Sequence, residues 1–190
     1  IIIKKLAESV KQPSSLNRIS NVLKATQNGV SISTLSDYIS YAVDSWLLIP
    51  LENGFGNITD RETVKKYYFI DNGLISLMLI DPATTLLENM VALTLCRRYG
   101  HDMDNERVYF YNDNVEVDFY VPEEQLAIQV SYDISVDVTQ NREVQALTKF
   151  SQVYDCKRRL ILPYDQEGVI EDSYGNVEVI PLWKFIMFMC

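Results

Sequence analysis

Val115-Glu116-Val117-Asp118-Phe119-Tyr120-Val121, the break Pro122-Glu123-Glu124-Gln125, and Leu126-Ala127-Ile128-Gln129-Val130-Ser131-Tyr132 form the stretch on which the fold turns. Side chains alternate between faces along a strand, so Val115, Val117, Phe119 and Val121 are expected on one face and Glu116 with Asp118 on the other. In the second run Ile128, Val130 and Tyr132 make the apolar face and leave Ala127, Gln129 and Ser131 opposite. Pairing the two as a hairpin with matched apolar faces brings Asp118 beside Gln129. Carboxylates in a core strand need partners, because a buried charge without one is costly.

Working toward the N-terminus, a strand is expected at 108–111, closed onto the first run by Asn112-Asp113-Asn114. Before it, residues 85–99 read as a helix capped by Thr84 or Thr85 and apolar around most of its circumference, hence a core helix. Glu88 shares a stripe with Ala92 and Leu95 there and points into the core. Toward the C-terminus come a helix at 141–150, a strand at 159–162, an acidic loop, a strand at 177–180 and a helix from Leu182. Helix, meander, helix and strand make an α/β domain on a mixed sheet.

The first eighty residues follow another plan. Short helices are expected near 3–10 and at 16–24, the second started by Ser14 and Ser15 and stopped by Asn28-Gly29. A third is capped by Ser33 and buries Leu35, Tyr38, Ile39, Ala42, Val43 and Trp46 as one stripe. Strands at 47–51 and 67–70 flank a loop with Gly54 and Gly56, followed by a turn at Asp71-Asn72-Gly73 and a short helix at 74–79. Three helices followed by a two-stranded hairpin are the layout of a winged helix, so the expected domains are 1–80 and 81–190. The third helix carries no Arg or Lys, and Ser36, Asp37 and Ser40 on its outer side are poor phosphate contacts.

Composition narrows the function. Of 190 residues, 47% are hydrophobic, enough for real cores; 17 Lys and Arg against 26 Asp and Glu give a charge of -9, which disfavours non-specific DNA binding. The basic spots at Lys4-Lys5, Lys65-Lys66, Arg97-Arg98 and Lys157-Arg158-Arg159 read as solvated faces. Cys96, Cys156 and Cys190 form no CxxC pair and suit free thiols in the cytoplasm. No apolar run reaches the ~20 residues that cross a bilayer. His101 is the single histidine, too few for a zinc cluster or a catalytic triad. No GxxxxGK[ST] occurs, so ATP is not expected on this stretch. The start at Ile1, without a methionine, reads as a fragment whose upstream part is missing.

Several segments in order carry a family resemblance: Lys65-Lys66-Tyr67-Tyr68-Phe69-Ile70-Asp71-Asn72-Gly73-Leu74, Leu87-Glu88-Asn89 with Arg97-Arg98, Glu116-Val117-Asp118-Phe119, Ile128-Gln129-Val130, and Thr139 with Arg142-Glu143. Together they resemble the C-terminal region of prokaryotic AAA+-like P-loop ATPases. There a winged helix and a restriction-endonuclease-like PD-(D/E)xK domain of unknown function follow the ATPase domain. The resemblance implies a site at Glu88, Asp118 and Gln129, with Glu116, Ser131, Arg142 and Glu143 adjacent. In an active form Glu88 and Asp118 would hold Mg²⁺. An active site of this type would carry an acid at 129 and a lysine at 131, where this chain has Gln129 and Ser131, so the site is expected to be vestigial. Lys149 could supply a migrated ammonium and Glu116 a second acid. Thr139 is expected to cap its helix, and Arg142 to pair with a buried carboxylate, Glu88 or Asp118. The functional expectation is a C-terminal accessory region of such an ATPase, recognising DNA or a protein partner and contacting the ATPase domain of its own chain, without a membrane. The alternatives are a Mg-dependent DNA nuclease with an atypical site and a structural module that forms homo-oligomers.

Overall fold

The computed structural model describes residues 1–25, 29–55, 59, 63–99 and 107–189. Asn28, Gly56, His101 and Cys190, read above as a helix stop, a loop residue, a surface histidine and a free thiol, lie outside the described residues. The protein is an α/β structure built on a six-stranded mixed sheet and a smaller three-stranded one. Among the described residues no helix is long and apolar enough to cross a membrane.

The chain begins with α1 (Ile2–Glu8), β1 (Ser14–Ser15), α2 (Leu16–Ala25) and α3 (Ile32–Asp44). Then come β2 (Leu48–Glu52) and β3 (Val64–Phe69), which pair antiparallel in the order β1-β3-β2. Ser15 accepts from the amide of Arg18 at the start of α2, as expected, although it also belongs to β1. Ser31 caps α3, accepting from the Thr34 amide, and Ser33 lies inside the helix. The stripe of α3 is narrower than its sequence suggests: Leu35, Ile39 and Ala42 are buried, whereas Tyr38 is exposed. Trp46 also faces solvent, because the chain leaves the helix there through a left-handed backbone (φ 61°). Asp71-Asn72-Gly73, read as a turn, is the start of α4 (Asn72–Met78), with the Asp71 side chain accepting from the Gly73 amide.

The second half opens with α5 (Ala83–Tyr99), so Thr84 and Thr85 sit within its first turn and do not cap it. Its buried residues run almost continuously from Leu87 to Cys96, as its all-round apolarity requires. The large sheet then forms from β4 (Tyr109–Asn112), β5 (Glu116–Val121), β6 (Leu126–Val130), β7 (Arg158–Leu162), β8 (Gly168–Asp172) and β9 (Gly175–Val179). Its order is β4-β5-β6-β7-β9-β8. The β6–β7 and β7–β9 pairs are parallel and the others antiparallel. Parallel neighbours need a crossover, supplied between β6 and β7 by α6 (Asp137–Ser151), while α7 (Leu182–Met189) closes the chain. β8 lies where the sequence suggested an acidic loop; Gly168 to Asp172 form an exposed edge strand with no apolar alternation to betray it. Arg159, far from being a solvated cation, is buried and forks onto Asp172 at the end of β8, and this pairing holds the Asp172 carboxyl down to about 2.

One continuous core joins the two halves. Leu6, Leu23, Leu35, Tyr68, Val91, Phe119, Leu160 and Phe185 belong to a single buried cluster that spans residue 80, and a second cluster around Tyr111, Tyr120, Leu147 and Phe150 lies across the large sheet. Phe55, after β2, reaches into that second cluster and meets the rings of Tyr120, Phe150 and Tyr154 at 5.4, 6.1 and 4.3 Å. Gly54 is required beside it: a Cβ there would stand 2.4 Å from the Tyr109 ring. On the other side of β3, Asn89 of α5 serves the strand's last residue as a neighbouring strand would. Its amide accepts from Phe69 N and donates to Phe69 O, each at 2.8 Å, and also donates to Asn72.

Asn89→Ala strands two buried main-chain groups of Phe69, so urea unfolding should show a loss of about 3 kcal/mol. The exposed Thr84→Ala should change stability by less than about 0.5 kcal/mol, as befits a residue that caps nothing.

Candidate functional site

Alternation along β3 divides its side chains: Lys65 turns outward and pairs with Glu52 at 2.8 Å, whereas Lys66 and Tyr68 turn inward and are fully buried. A buried ammonium must satisfy three N–H donors. Lys66 is met by carboxylates from two elements of the second half: Nζ donates to Asp118 Oδ1 at 3.0 Å and to Glu88 Oε1 at 3.3 Å, and forms an ion pair with Glu116 Oε1 at 2.8 Å. Glu88 stands on α5, and Glu116 and Asp118 stand on β5. The Tyr68 hydroxyl donates to the same Glu88 oxygen at 2.9 Å, and the Phe110 ring lies 5.8 Å from Nζ.

Burial of Lys66 works against its charge, but Asp118, Glu88 and Glu116 outweigh it and hold the ammonium well above its ordinary range. Burial has the opposite consequence for Glu88, whose carboxyl is pushed up to about 7 against the pull of Lys66. The cluster therefore carries a lasting positive charge at Nζ and a proton that Glu88 exchanges near neutrality.

Beside Asp118 the strand β5 is irregular. Tyr111 pairs with Val117 and Tyr109 with Tyr120, so β5 spends one more residue than β4 across that interval. Val117 accordingly joins the core of Tyr111 and Tyr120, while Phe119 and Val121 join that of Tyr68 and Val91. Simple alternation had put Val117 with Phe119 and Val121; Glu116 and Asp118 share the Lys66 side as alternation requires, and the extra residue shifts the parity so that Phe119 joins that side too.

Asp118 and Gln129 are neighbours, as the hairpin register requires, and their side chains stand in for ladder bonds. Backbone pairing of β5 with β6 runs from Val121 opposite Leu126 to Phe119 opposite Ile128. Beyond that, Asp118 N donates to Gln129 Oε1 and Val130 N donates to Asp118 Oδ2, both at 2.9 Å. Gln129 Nε2 donates to Glu116 O and to Glu143 Oε2, both at 3.0 Å. Every polar atom of Gln129 is thus engaged.

The remaining expected residues divide. Glu143 is buried on α6, and burial raises its carboxyl in spite of Arg142. Arg142 pairs with this adjacent Glu143 and not with Glu88 or Asp118. Thr139 lies within α6, whose cap position is Val136, so it caps nothing. Ser131 is outside the cleft, its hydroxyl directed at Asp133 O at 3.4 Å. Lys149 is exposed at the wall of an open cleft of about 440 Å³ whose floor is Glu88, Glu116, Asp118, Gln129 and Glu143, with Lys11 and Arg142 also at the wall. The ammonium inside the acid cluster comes from Lys66, 52 positions before Asp118 in the chain. Sequence reading missed it because a lysine in a basic pair reads as exposed; the signal was its place two before Tyr68 on the inward side of a strand.

Among curated proteins the chain is similar to an uncharacterized protein of Methanocaldococcus jannaschii, 30% identical over 181 residues, an alignment covering 90% of this chain and 40% of the relative. The chain thus spans about two fifths of that relative's length. No family model and no solved structure matches it.

Lys66→Met leaves buried carboxylates unpaired and should lower stability by about 3–5 kcal/mol in urea, most of it regained in Lys66→Met/Glu88→Gln/Asp118→Asn. For Glu88 the folded state holds its proton up to about 7 whereas the unfolded chain releases it near 4.5, the ordinary value of a glutamate. The stability of the wild type relative to Glu88→Gln should therefore fall as pH rises from 4.5 to 7 and level off above, which parallel urea titrations would read directly.

Proposed function

We propose that this chain is a recognition module: a winged-helix module over residues 1–80 joined to a restriction-endonuclease-like domain over 81–190 whose inherited site no longer cleaves. The observation that carries this reading is the Lys66 ammonium lying between Glu88 and Asp118, within 3.3 Å of both. Those are the two carboxylates a divalent cation would need, and oxygens at ~2.0–2.1 Å would be required around Mg²⁺. Gln129 Oε1, the third candidate ligand, is committed to the Asp118 amide. The residues present do not fit a Mg²⁺ site.

The order of three helices and three strands, with β3 between β1 and β2, supports the winged-helix assignment. The exposed side of α3 carries Ser33, Ser36, Asp37, Ser40, Tyr41 and Asp44, without a cation, and this favours a protein partner over a phosphate backbone. The relative is longer than the aligned stretch, which supports a role as one region of a larger protein, and we assign it to the C-terminal accessory region of the cytoplasmic AAA+-like ATPases. In that setting the module would bind a partner and transmit its presence to an ATPase domain of the same chain.

Supercoiled plasmid incubated with the protein and Mg²⁺ or Mn²⁺ should remain supercoiled on an agarose gel. Nicking that disappears in Asp118→Ala would overturn the non-cleaving assignment. The reading frame that encodes this sequence should also contain a GxxxxGK[ST] motif on its N-terminal side, and a complete frame without one would sink the ATPase connection.

A further inference from the structure

Away from the acid cluster, α5 and α7 enclose an apolar groove of about 480 Å³, walled by Leu86, Met90, Trp183 and Ile186 and closed at one end by Tyr132 and Tyr164. The two tyrosines stack, centroids 5.2 Å apart and planes 17° from parallel. Trp183 and Tyr164 remain more than half exposed, and the apolar surface continues along α7 through Met187 and Phe188, 71% and 70% exposed. Apolar area of this kind beside a groove marks a contact surface.

The charge around it is of one sign. Asp165 lines the groove, Asp133 follows Tyr132, Asp81 stands two residues before Ala83 of the lining, and all three are exposed. No Lys or Arg lines it among the described residues, and the nearby Lys184 is engaged by Glu167. A second copy of this chain would bring two acidic rims together at a charge of -9 each, which disfavours self-association. The groove is flanked by helices and offers no free strand edge for backbone pairing. A helix satisfies its own main chain and can lay an apolar stripe between two others.

We propose that this groove docks an amphipathic helix of a protein partner, its apolar stripe on Leu86, Met90 and Trp183 and its lysines or arginines facing the acidic rim. Such docking would give the recognition role its contact face, and it is separable from the cleft: absent peptide binding with plasmid still intact counts against the groove alone.

The test is fluorescence anisotropy with a labelled helical peptide of about 18 residues, leucines on one face and lysines on the other. Saturable one-to-one binding is expected, weakening as salt rises, with affinity at least about tenfold lower for Trp183→Ser and for Tyr164→Ser. Val22→Ser, an exposed apolar position on α2, should bind as the wild type does. The same peptide with glutamate in place of lysine should not bind. Equal affinity of wild type and Trp183→Ser, or equal binding of both peptides, would overturn the proposal. So would sedimentation showing that the protein alone self-associates and that Trp183→Ser restores the monomer.

Discussion

A lysine ammonium placed out of water must be surrounded by negative charge, and the Lys66 side chain meets that demand with three carboxylates from two elements. The penalty for removing an ion from water is several kcal/mol even after relaxation. It is offset only because Glu88, Asp118 and Glu116 converge within 3.3 Å. Glu88 and Asp118 face the core beside Lys66, Glu116 reaches it from the solvent side, and Lys66 could not be inside without them. β3, α5 and β5 are consequently held in one mutual arrangement by charge as well as by packing. Phe55 and Gly54 secure the β2 side of the same strand pair against the large sheet, so the first half of the chain is attached at two points whose chemistry differs.

The same constraint explains why these side chains stay together whether or not anything binds there. Glu88 and Asp118 remain buried or nearly so because they neutralise Lys66, and Gln129 remains because it completes the hydrogen bonds of two diverging strands and of Glu143. Each has a structural reason to stay where it is that makes no reference to a substrate. Their convergence alone therefore says little about turnover; what is decisive is which atoms are still free to engage a ligand.

Much of the fold was legible from periodicity. The all-round apolarity of α5, the alternation in β6 and the adjacency of Asp118 and Gln129 each follow from local rules. What escaped reading were features decided by distant residues. Ser31 and Ser33 are equivalent as caps until the preceding backbone is known, and Thr139 or Thr85 looks like a helix start whenever the first turn is underestimated. β8 carries little apolar patterning because it is an exposed edge. Lys66 and Arg159 each sat in a run of cations, where solvent is the natural expectation, yet both are buried against acids. Arg142 found its partner next door in Glu143, a contact that spacing on a helix does not suggest.

The extra residue in β5 bears on how this strand can tolerate change. Because alternation has only two states, a single added residue sends Val117 to one core and Phe119 to the other. Substitutions there alter one side chain at a time. Deleting one codon in the regular stretch from Phe119 to Val121 would instead reverse the facing of all residues on one side of the gap, whereas deleting that of Asp118 would leave Val117 and Phe119 adjacent and still on opposite cores, so the strand can lose length at its irregularity and not beyond it.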